Sequence, residues 1–259
     1  AAAVRTLSGG AVSNVTLTGT IEYVTDAAPA EVSIGGIAAY FTGGTISDCV
    51  NNATIKVNAQ NASGKVRLAG IVGFSLGTEG ERLGVKNCVN NGQLIPQVKL
   101  NELDFGTMAG RAEYTDLENC SNSVPVTFST SEIGFLYGGA LAGVAKNSSL
   151  KKCTNSAAMT FEESLNVKSY FYSSAVAAYS VSTTVLEDCT NSGDITFGKV
   201  EWAATRFTLG GIVGYGDNNA GQVKGCSNSG NITLQGSVAG SANYDAAGGI
   251  AGRTAASIT

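Results

Sequence analysis

Short runs of alternating apolar and polar residues recur along the chain at a nearly constant interval. In the clearest run a polar residue, mostly Thr, separates two apolar ones, as in Ile195-Thr196-Phe197. This alternation predicts a β-strand with one face buried and the other exposed. The two apolar columns are Ile55, Leu94, Val126, Met159, Ile195 and Ile232, and then Val57, Pro96, Phe128, Phe161, Phe197 and Leu234, of which Pro96 alone breaks the pattern.

A cysteine precedes each of these runs by six residues. Successive cysteines are 39, 32, 33, 36 and 37 residues apart, and each is followed two residues later by Asn and preceded by an aliphatic residue three positions before it. This regularity predicts a second strand that leads into Cys-x-Asn. The cysteines are Cys49, Cys88, Cys120, Cys153, Cys189 and Cys226, and the asparagines are Asn51, Asn90, Asn122, Asn155, Asn191 and Asn228.

A third segment, rich in small residues, precedes each cysteine. Gly210-Gly211-Ile212-Val213-Gly214 is an example, and an alternating pair such as Val66 and Leu68 comes before such a block. Each repeat therefore offers about three short strands. Between the second and the third lies Asn-Asn-Gly or Asn-Ser-Gly, as at residues 90–92 and 228–230, where we expect Gly to supply the positive φ of a sharp corner.

Repeats of this kind are expected to stack, because one repeat cannot bury its apolar columns alone. The predicted fold is all-β: a parallel β-solenoid of about six to seven coils of roughly 35 residues, with equivalent strands about 4.8 Å apart. A β-propeller also has β units of about 40 residues, but its blades are antiparallel and hairpin signals within the repeats are weak.

The repeat pattern also suggests a division of the chain. Residues 1–31 are expected to form a partial first coil or an N-terminal cap, residues 32–252 the repeat array, and residues 253–259 the start of a further, truncated coil. Asn14-Val15-Thr16-Leu17 resembles residues 231–234, which predicts the third strand of a coil whose first half is missing. We expect the 259 residues to belong to a longer protein.

Composition narrows the possible functions. The formal net charge is −4, without a basic run, which argues against nucleic acid as a partner. No apolar stretch is long enough for a membrane span. The chain contains no His, so the commonest general base and metal ligand is missing. We expect no cofactor and no metal.

One unit resembles a known repeat family. Gly210-Gly211-Ile212-Val213-Gly214-Tyr215, followed by residues 221–232 with Cys226-Ser227-Asn228-Ser229-Gly230, resembles the GLUG-type repeat of bacterial surface proteins. The resemblance extends over residues 32–252 and is degenerate at Thr107 to Arg111. It implies a repetitive extracellular or cell-surface protein, often adhesin-like, and it transfers no catalytic residues.

The cysteines and asparagines are interpreted as structural. Cysteines in one phase of a solenoid form a column about 4.8 Å apart, slightly too far for disulfides, which favours a ladder of buried free thiols; pairing of some neighbours stays open. Stacked amides favour an asparagine ladder. Acids such as Glu118 and Asp188 alternate with Lys224 at similar positions, which indicates a solvated outer face. No cluster of acids, or of acids with Lys and Arg, stands out as an active site.

One column has the residue types of a ligand site. Aromatic and Arg side chains follow the small-residue block at a constant position, and they could stack on sugars or anchor a protein. The other interpretation is packing at a corner. Two functions follow: a non-enzymatic structural or adhesive module of a larger secreted or surface protein, bound to its own flanking repeats or domains, or a glycan-binding or polysaccharide-processing β-helix. The candidate stripe is Tyr40, Phe74, Arg111, Tyr179, Tyr215 and Arg253.

Overall fold

Strands of the chain stack in five parallel rows. The computed structural model describes residues 2–26, 30–60, 63–129, 131–198, 205–217, 219, 221–235 and 246–259. In these ranges every helix-or-strand element is a β-strand, and each strand pairs in parallel with its equivalent in the next coil. The fold is a parallel β-solenoid of about seven turns of roughly 35 residues, as predicted. The antiparallel propeller is excluded.

The three predicted segments are all present, and corners divide two of them. The first segment gives row 1, up to the small-residue block, and row 2, after it. The second gives row 3, before the cysteine, and row 4, which holds the asparagine. The third is row 5. Three long strands join rows: Val4–Ser13 and Ala38–Ser47 belong to rows 2 and 3, and Leu94–Gly106 to rows 5 and 1.

The bounds of the strands follow the rows. Row 1 also contains Glu31–Gly35, Lys65–Ala69, Glu132–Gly139, Asn166–Ser174, Arg206–Gly210 and Ala246–Gly248. Row 2 also contains Val4–Ser13, which continues into row 3, Val72–Leu76, Ala109–Glu113, Ala142–Lys146, Ala177–Val181, Val213–Gly216 and Ala251–Arg253. Row 3 also contains Leu83–Lys86, Thr115–Glu118, Ser149–Lys151, Val185–Glu187, Gln222–Lys224 and Ser257–Ile258. Row 4 contains Thr16–Leu17, Val50–Asn51, Val89–Asn90, Ser121–Asn122, Thr154–Asn155, Thr190–Asn191 and Ser227–Asn228. Row 5 also contains Thr20–Thr25, Thr54–Ala59, Val126–Phe128, Met159–Phe161, Ile195–Phe197 and Ile232–Leu234.

Two apolar cores run along the solenoid. Rows 1 and 5 face each other across one core, and rows 2, 3 and 4 enclose the other. The apolar columns read from the sequence are in register: Ile195, for example, pairs with Met159 and Ile232. The rings of Phe128, Phe161 and Phe197 stack at 4.8 and 4.4 Å between centroids, so one residue type repeated at one phase packs against itself from coil to coil.

The expected positive φ at the Asn-x-Gly corner is wrong. Gly92 and Gly230 do not have it; they are needed for close approach, since a Cβ on either would lie 2.0 Å from a carbonyl oxygen of the preceding coil. The left-handed residue instead stands directly before the cysteine, between rows 3 and 4. These residues are Asp48, Asn87, Asn119, Lys152, Asp188 and Gly225, with φ between 51 and 61°.

The register expected for the first coil is also wrong. Thr16–Leu17 pairs with Val50–Asn51, so it belongs to row 4 and not to the third segment. Thr20–Thr25 fills row 5, and Val4–Ser13 supplies rows 2 and 3 of the same coil. The phase was hidden because Val15 and Leu17 stand where later coils have Cys and Asn.

The described residues include no helix long and apolar enough to cross a membrane.

Candidate functional site

The row 4 asparagines form a continuous hydrogen-bonded ladder inside the molecule. Each side-chain Nδ2 donates to the Oδ1 of the asparagine in the next coil, at distances between 2.7 and 3.1 Å. The predicted asparagine ladder is confirmed. It runs through Asn51, Asn90, Asn122, Asn155, Asn191 and Asn228.

The second hydrogen of each amide is used within its own coil. Asn90 Nδ2 also donates to the carbonyl of Gly92 at 2.9 Å, and Asn191 Nδ2 to that of Gly193 at 2.8 Å, which fixes the corner into row 5. The ladder lies against the corner between rows 1 and 2, where a Cβ on Gly70 would lie 2.1 Å from Asn90 Oδ1. From Asn51 to Asn191 both amide hydrogens are bonded inside the protein, so these five side chains offer no donor to a ligand.

The cysteines stand one residue before row 4. All six are unpaired; five are buried and Cys226 is partly buried. Each Sγ lies between 3.1 and 3.5 Å from the carbonyl oxygen two residues earlier. Cys189 Sγ also donates to the carbonyl of Leu150, in the preceding coil, at 3.2 Å.

The environment of the thiols disfavours the thiolate. The hydrogen bond with Cys153 and burial together raise the pKa of Cys189 to about 12, although Cys226 acts in the opposite direction. For Cys120 the hydrogen bond with Cys153 lowers the pKa, but the bond with Cys88 and burial outweigh it, and the pKa is raised to about 12. Thiols of this kind are poor nucleophiles and poor metal ligands at neutral pH.

The candidate stripe lies in a groove between rows 1 and 2. Its column is in register: Tyr40 pairs with Phe74, Phe74 with Arg111, and Tyr179 with Tyr215, which pairs with Arg253. Part of the column is packed into the protein, since Phe74 is buried and Val144, at the same position in a later coil, is fully buried. Side chains of row 1 cover part of this column: Arg67 lies over the Phe74 ring, and Tyr172 stacks on Tyr215. The repeat pattern did not predict that side chains of row 1 form the other side of this groove.

The C-terminal half of the groove is aromatic. Tyr137 and Tyr172 of row 1 are buried at its base, and Tyr179 and Tyr215 of row 2 lie half-buried above them. The rings of Tyr172 and Tyr215 stack at 4.6 Å, and those of Tyr137 and Tyr179 are 5.3 Å apart. Arg206 lies over the ring of Tyr170 at 4.6 Å. Burial, opposed by Arg206, raises the pKa of Tyr172 to about 12, so its hydroxyl group stays protonated at physiological pH.

The middle of the groove holds a network of acids and bases, contrary to the expectation that no such cluster forms. Arg111 Nη1 lies 3.4 Å from Asp104 Oδ2, and its Nε lies 2.7 Å from Glu113 Oε1. Lys65 Nζ lies 3.0 Å from Glu102 Oε2. Lys65 and Glu102 come from adjacent coils, whereas Asp104, Arg111 and Glu113 belong to one coil. The charged residues do not recur at these positions in the next coil, so the repeat pattern does not predict the network.

Asp104 is the most deeply buried member of this network. Its side chain is 1% exposed, and its Oδ1 has no hydrogen-bond partner within the described part of the chain. Burial raises the pKa of Asp104 to about 7, and the charge of Glu102 adds to the rise while Arg111 and Arg67 oppose it. Burial also acts to raise the pKa of Glu113, but the hydrogen bond and charge of Arg111 outweigh it, and the pKa is lowered. Two neighbouring acids therefore differ in charge state below neutral pH.

The outer face of row 3 carries charges that alternate in sign. Lys86 lies 3.1 Å from Glu118, and Glu187 lies between Lys151 at 3.0 Å and Lys224 at 3.3 Å. These groups are exposed or half-exposed, so solvent screens the pairs and they add little to the stability of the fold. This arrangement matches the solvated outer face read from the sequence.

One stretch of the chain matches a family model. Residues 205–233 match the model described as the GLUG motif. The match runs from the row 1 strand Arg206–Gly210 into the row 5 strand Ile232–Leu234, and so includes Cys226 and Asn228. The motif is thus one turn of the solenoid. No curated protein and no solved structure matches the chain.

Proposed function

We propose that this chain is a non-enzymatic repeat module: a stiff spacer or adhesive stalk within a larger secreted or cell-surface protein. The observation that carries the proposal is the asparagine ladder from Asn51 to Asn228, which joins six successive coils by the same buried hydrogen bond. A stack in which each coil contacts only its neighbours, through identical contacts, can be lengthened without redesign. Natural selection can then act on the length and the stiffness of the stack.

The geometry of the acidic residues supports a non-enzymatic role. Glycosidases need two carboxyl groups that reach the scissile bond. Here Asp104 is sealed from solvent, and Glu102 lies within 4.0 Å of both Lys65 and Arg111. The acids and bases of the network pair with one another, and the buried carboxyl group of Asp104 is not accessible to a polymer.

The cysteines fit the same role as a ladder of free thiols. Burial and hydrogen bonds between neighbouring thiols keep Cys120 and Cys189 protonated, with a pKa of about 12 each. A small, weakly polar side chain at this phase fills the core beside the asparagine ladder without requiring a partner in solvent.

Location and partners belong to the proposal as well. The GLUG match at residues 205–233 and the resemblance to repeats of bacterial surface proteins support a secreted or surface location. Flanking repeats or domains of the same longer chain are the proposed partners, with a surface glycan or protein at the far end. Antibody labelling of intact producing cells tests the location: surface signal is expected, and signal only after permeabilisation would contradict it.

Mechanical stretching of single molecules tests the spacer role. Pulling the two termini apart should give successive force peaks, each releasing about one coil, or about 120 Å of chain for roughly 35 residues. Smooth extension at low force, with no peaks, would show that the coils do not resist load and would remove the basis for a spacer.

A glycan-binding module is the second candidate, favoured by the aromatic half of the groove. Tyr179 and Tyr215 are half-buried rings held in place by Tyr172, so they form a fixed apolar surface with hydroxyl groups at its edge. Such rings stack well on sugars. A glycan-array screen tests this candidate: binding that is lost in Tyr179→Ala or Tyr215→Ala supports it, and the absence of any binding eliminates it.

A further inference from the structure

The groove between rows 1 and 2 is open near its N-terminal end. The row 1 column that fills it elsewhere with Arg67, Asp104, Tyr137 and Tyr172 carries the small Ser33 in the preceding coil. Because Ser33 leaves space, a cavity of about 370 Å³ remains there. This volume falls within the range of small-ligand sites.

Two aromatic rings form one wall of this cavity. Tyr40 and Phe74 are neighbours in row 2, with ring centroids 5.3 Å apart and planes inclined by 52°. The guanidinium group of Arg67 lies 4.1 Å from the centre of the Phe74 ring and helps to fix it. Hydroxyl groups of Thr6 and Ser33 also line the cavity. An apolar ring face beside hydroxyl groups suits a pyranose, which presents C–H groups on one face and hydroxyls at its edge.

The charges around the cavity favour an anion. Arg5 and Arg67 line it, whereas Glu31 is the one lining acid among the residues that the structure describes. Glu31 is already 3.1 Å from Arg67 Nη1, and Arg67 is nine-tenths buried with an Nε that makes no hydrogen bond to any described residue. Arg5 is exposed and has no ion pair with any residue that the structure describes. The lining therefore has a formal net charge of +1, although Arg67 also lies 3.8 Å from Asp104 Oδ2, and Arg5 supplies the charge that is not already paired.

We propose that this cavity binds an acidic sugar, a pyranose ring that carries a carboxylate, as a single residue or as a unit of an acidic polysaccharide. The ring stacks on Tyr40, and the carboxylate pairs with Arg5, because Arg binds carboxylates through strong charge-assisted hydrogen bonds. The inference goes beyond the spacer role. It rests on the glycan-binding candidate for the class of ligand, and it places the site in a different part of the groove.

Calorimetric titration of the whole chain tests the proposal, with galacturonate and glucuronate as probes and galactose and glucose as neutral controls. We expect binding of the two acidic sugars that weakens as salt is added. Arg5→Gln should weaken galacturonate binding on the order of tenfold, the loss of one charge-assisted hydrogen bond. Tyr40→Leu should weaken it as well. Lys56→Gln, which removes an exposed cation from row 5, is the matched control and should bind as the parent does.

The possible failures are distinguishable. Equal binding of galactose and galacturonate, or an unchanged affinity in Arg5→Gln, overturns the proposal. If Tyr179→Ala abolishes binding and Arg5→Gln does not, the glycan-binding candidate stands and the proposed cavity is wrong. If no sugar binds at concentrations on the order of 10 mM, both are wrong. Circular dichroism of each variant confirms that it has folded, so that loss of binding is attributable to the site.

Discussion

Residues of one type recur at one phase of this solenoid because each makes its own contacts with its equivalent in the next coil. An amide has donors on one side and an acceptor on the other, so a column of Asn satisfies itself. Asn122, for instance, donates to Asn155 and accepts from Asn90. A buried polar group costs free energy unless it is hydrogen-bonded, and each member of the ladder therefore depends on its neighbours.

Replacing Asn122 by Ala should be severe. The change leaves Asn90 Nδ2 and Asn155 Oδ1 without a ladder partner in the interior, which should lower the free energy of unfolding by about 3 kcal/mol. Asn91, the residue after the ladder residue Asn90, is the matched control. Its Nδ2 donates to Asn52 Oδ1 at 3.1 Å, but its side chain is exposed, so Asn91→Ala should cost less than about 0.5 kcal/mol. Urea denaturation measures both, and equal losses would show that the buried ladder has no special role.

Substitutions of Cys189 should separate packing from chemistry. Cys189→Ala leaves only a small cavity and should cost about 1 kcal/mol. Cys189→Asp places a carboxylate in an apolar core and should prevent folding. In the folded protein thiol reagents should react slowly, with the partly exposed Cys226 first, and in denaturant without reductant they should titrate six thiols. A count below six would demonstrate disulfides and end the free-thiol interpretation.

Asp104 should make stability fall as pH rises from about 4 to 7. Its pKa is raised in the folded state to about 7, so in this range the folded protein binds a proton that the unfolded chain releases. The slope is then negative, at most about 1.4 kcal/mol per pH unit. The charges of Arg111 and Arg67 oppose the rise in the pKa of Asp104, and the charge of Glu102 adds to it. Asp104→Asn should remove this slope.

Glu113→Gln is the contrasting variant. The pKa of Glu113 is lowered in the folded state, so its contribution is present above its ordinary pKa and is lost as pH falls through the lowered value. Relative to the parent, Glu113→Gln should therefore change the pH dependence only below about pH 4.5. Unfolding measured between pH 3 and 8 decides the matter, and identical slopes for the parent and Asp104→Asn would refute a protonated Asp104.

At the level of strands and corners, the sequence predicts the strands better than the turns between them. Alternation and spacing identify all three segments, since apolar columns must stack in register. The corner before the cysteine is less visible, because Asp, Asn, Lys and Gly all occupy its left-handed position. The Gly of the Asn-x-Gly corner, as at Gly92, is needed because a Cβ would collide with the preceding coil, and not because its φ is positive.

This corner predicts a stabilising substitution. Lys152 has φ of 51°, a conformation that costs a non-glycine residue about 1 kcal/mol, and Gly225 occupies the same position in a later coil. Lys152→Gly should therefore raise the free energy of unfolding by about 0.5–1 kcal/mol. Lys151→Gly, one residue earlier in a row 3 strand, should lower it instead. If Lys152→Gly also destabilises, the corner is not strained.

At the scale of the molecule, the sequence predicts what repeats and not what occurs once. The solenoid, its cores and the Asn column follow from periodicity. The network around Asp104 does not, because Arg67, Asp104 and Tyr137 occupy the same position in three coils and share no chemistry. The row 1 half of the groove was missed for the same reason. The first coil was misread because Val15 and Leu17 replace the two marker residues.

Whole-coil deletion tests the central claim, that the coils are equivalent and stack in one register. Removing Cys153 through Asp188 joins Lys152 to Cys189, two residues at successive points of the same corner. We predict a folded chain with β-rich circular dichroism, one cooperative urea transition and an m-value reduced roughly in proportion to length. Removing half as much, residues 153–170, should shift the Asn and Ile columns out of phase and cause aggregation. A whole-coil deletion that fails to fold, or a half-coil deletion that folds equally well, would contradict the stacked solenoid.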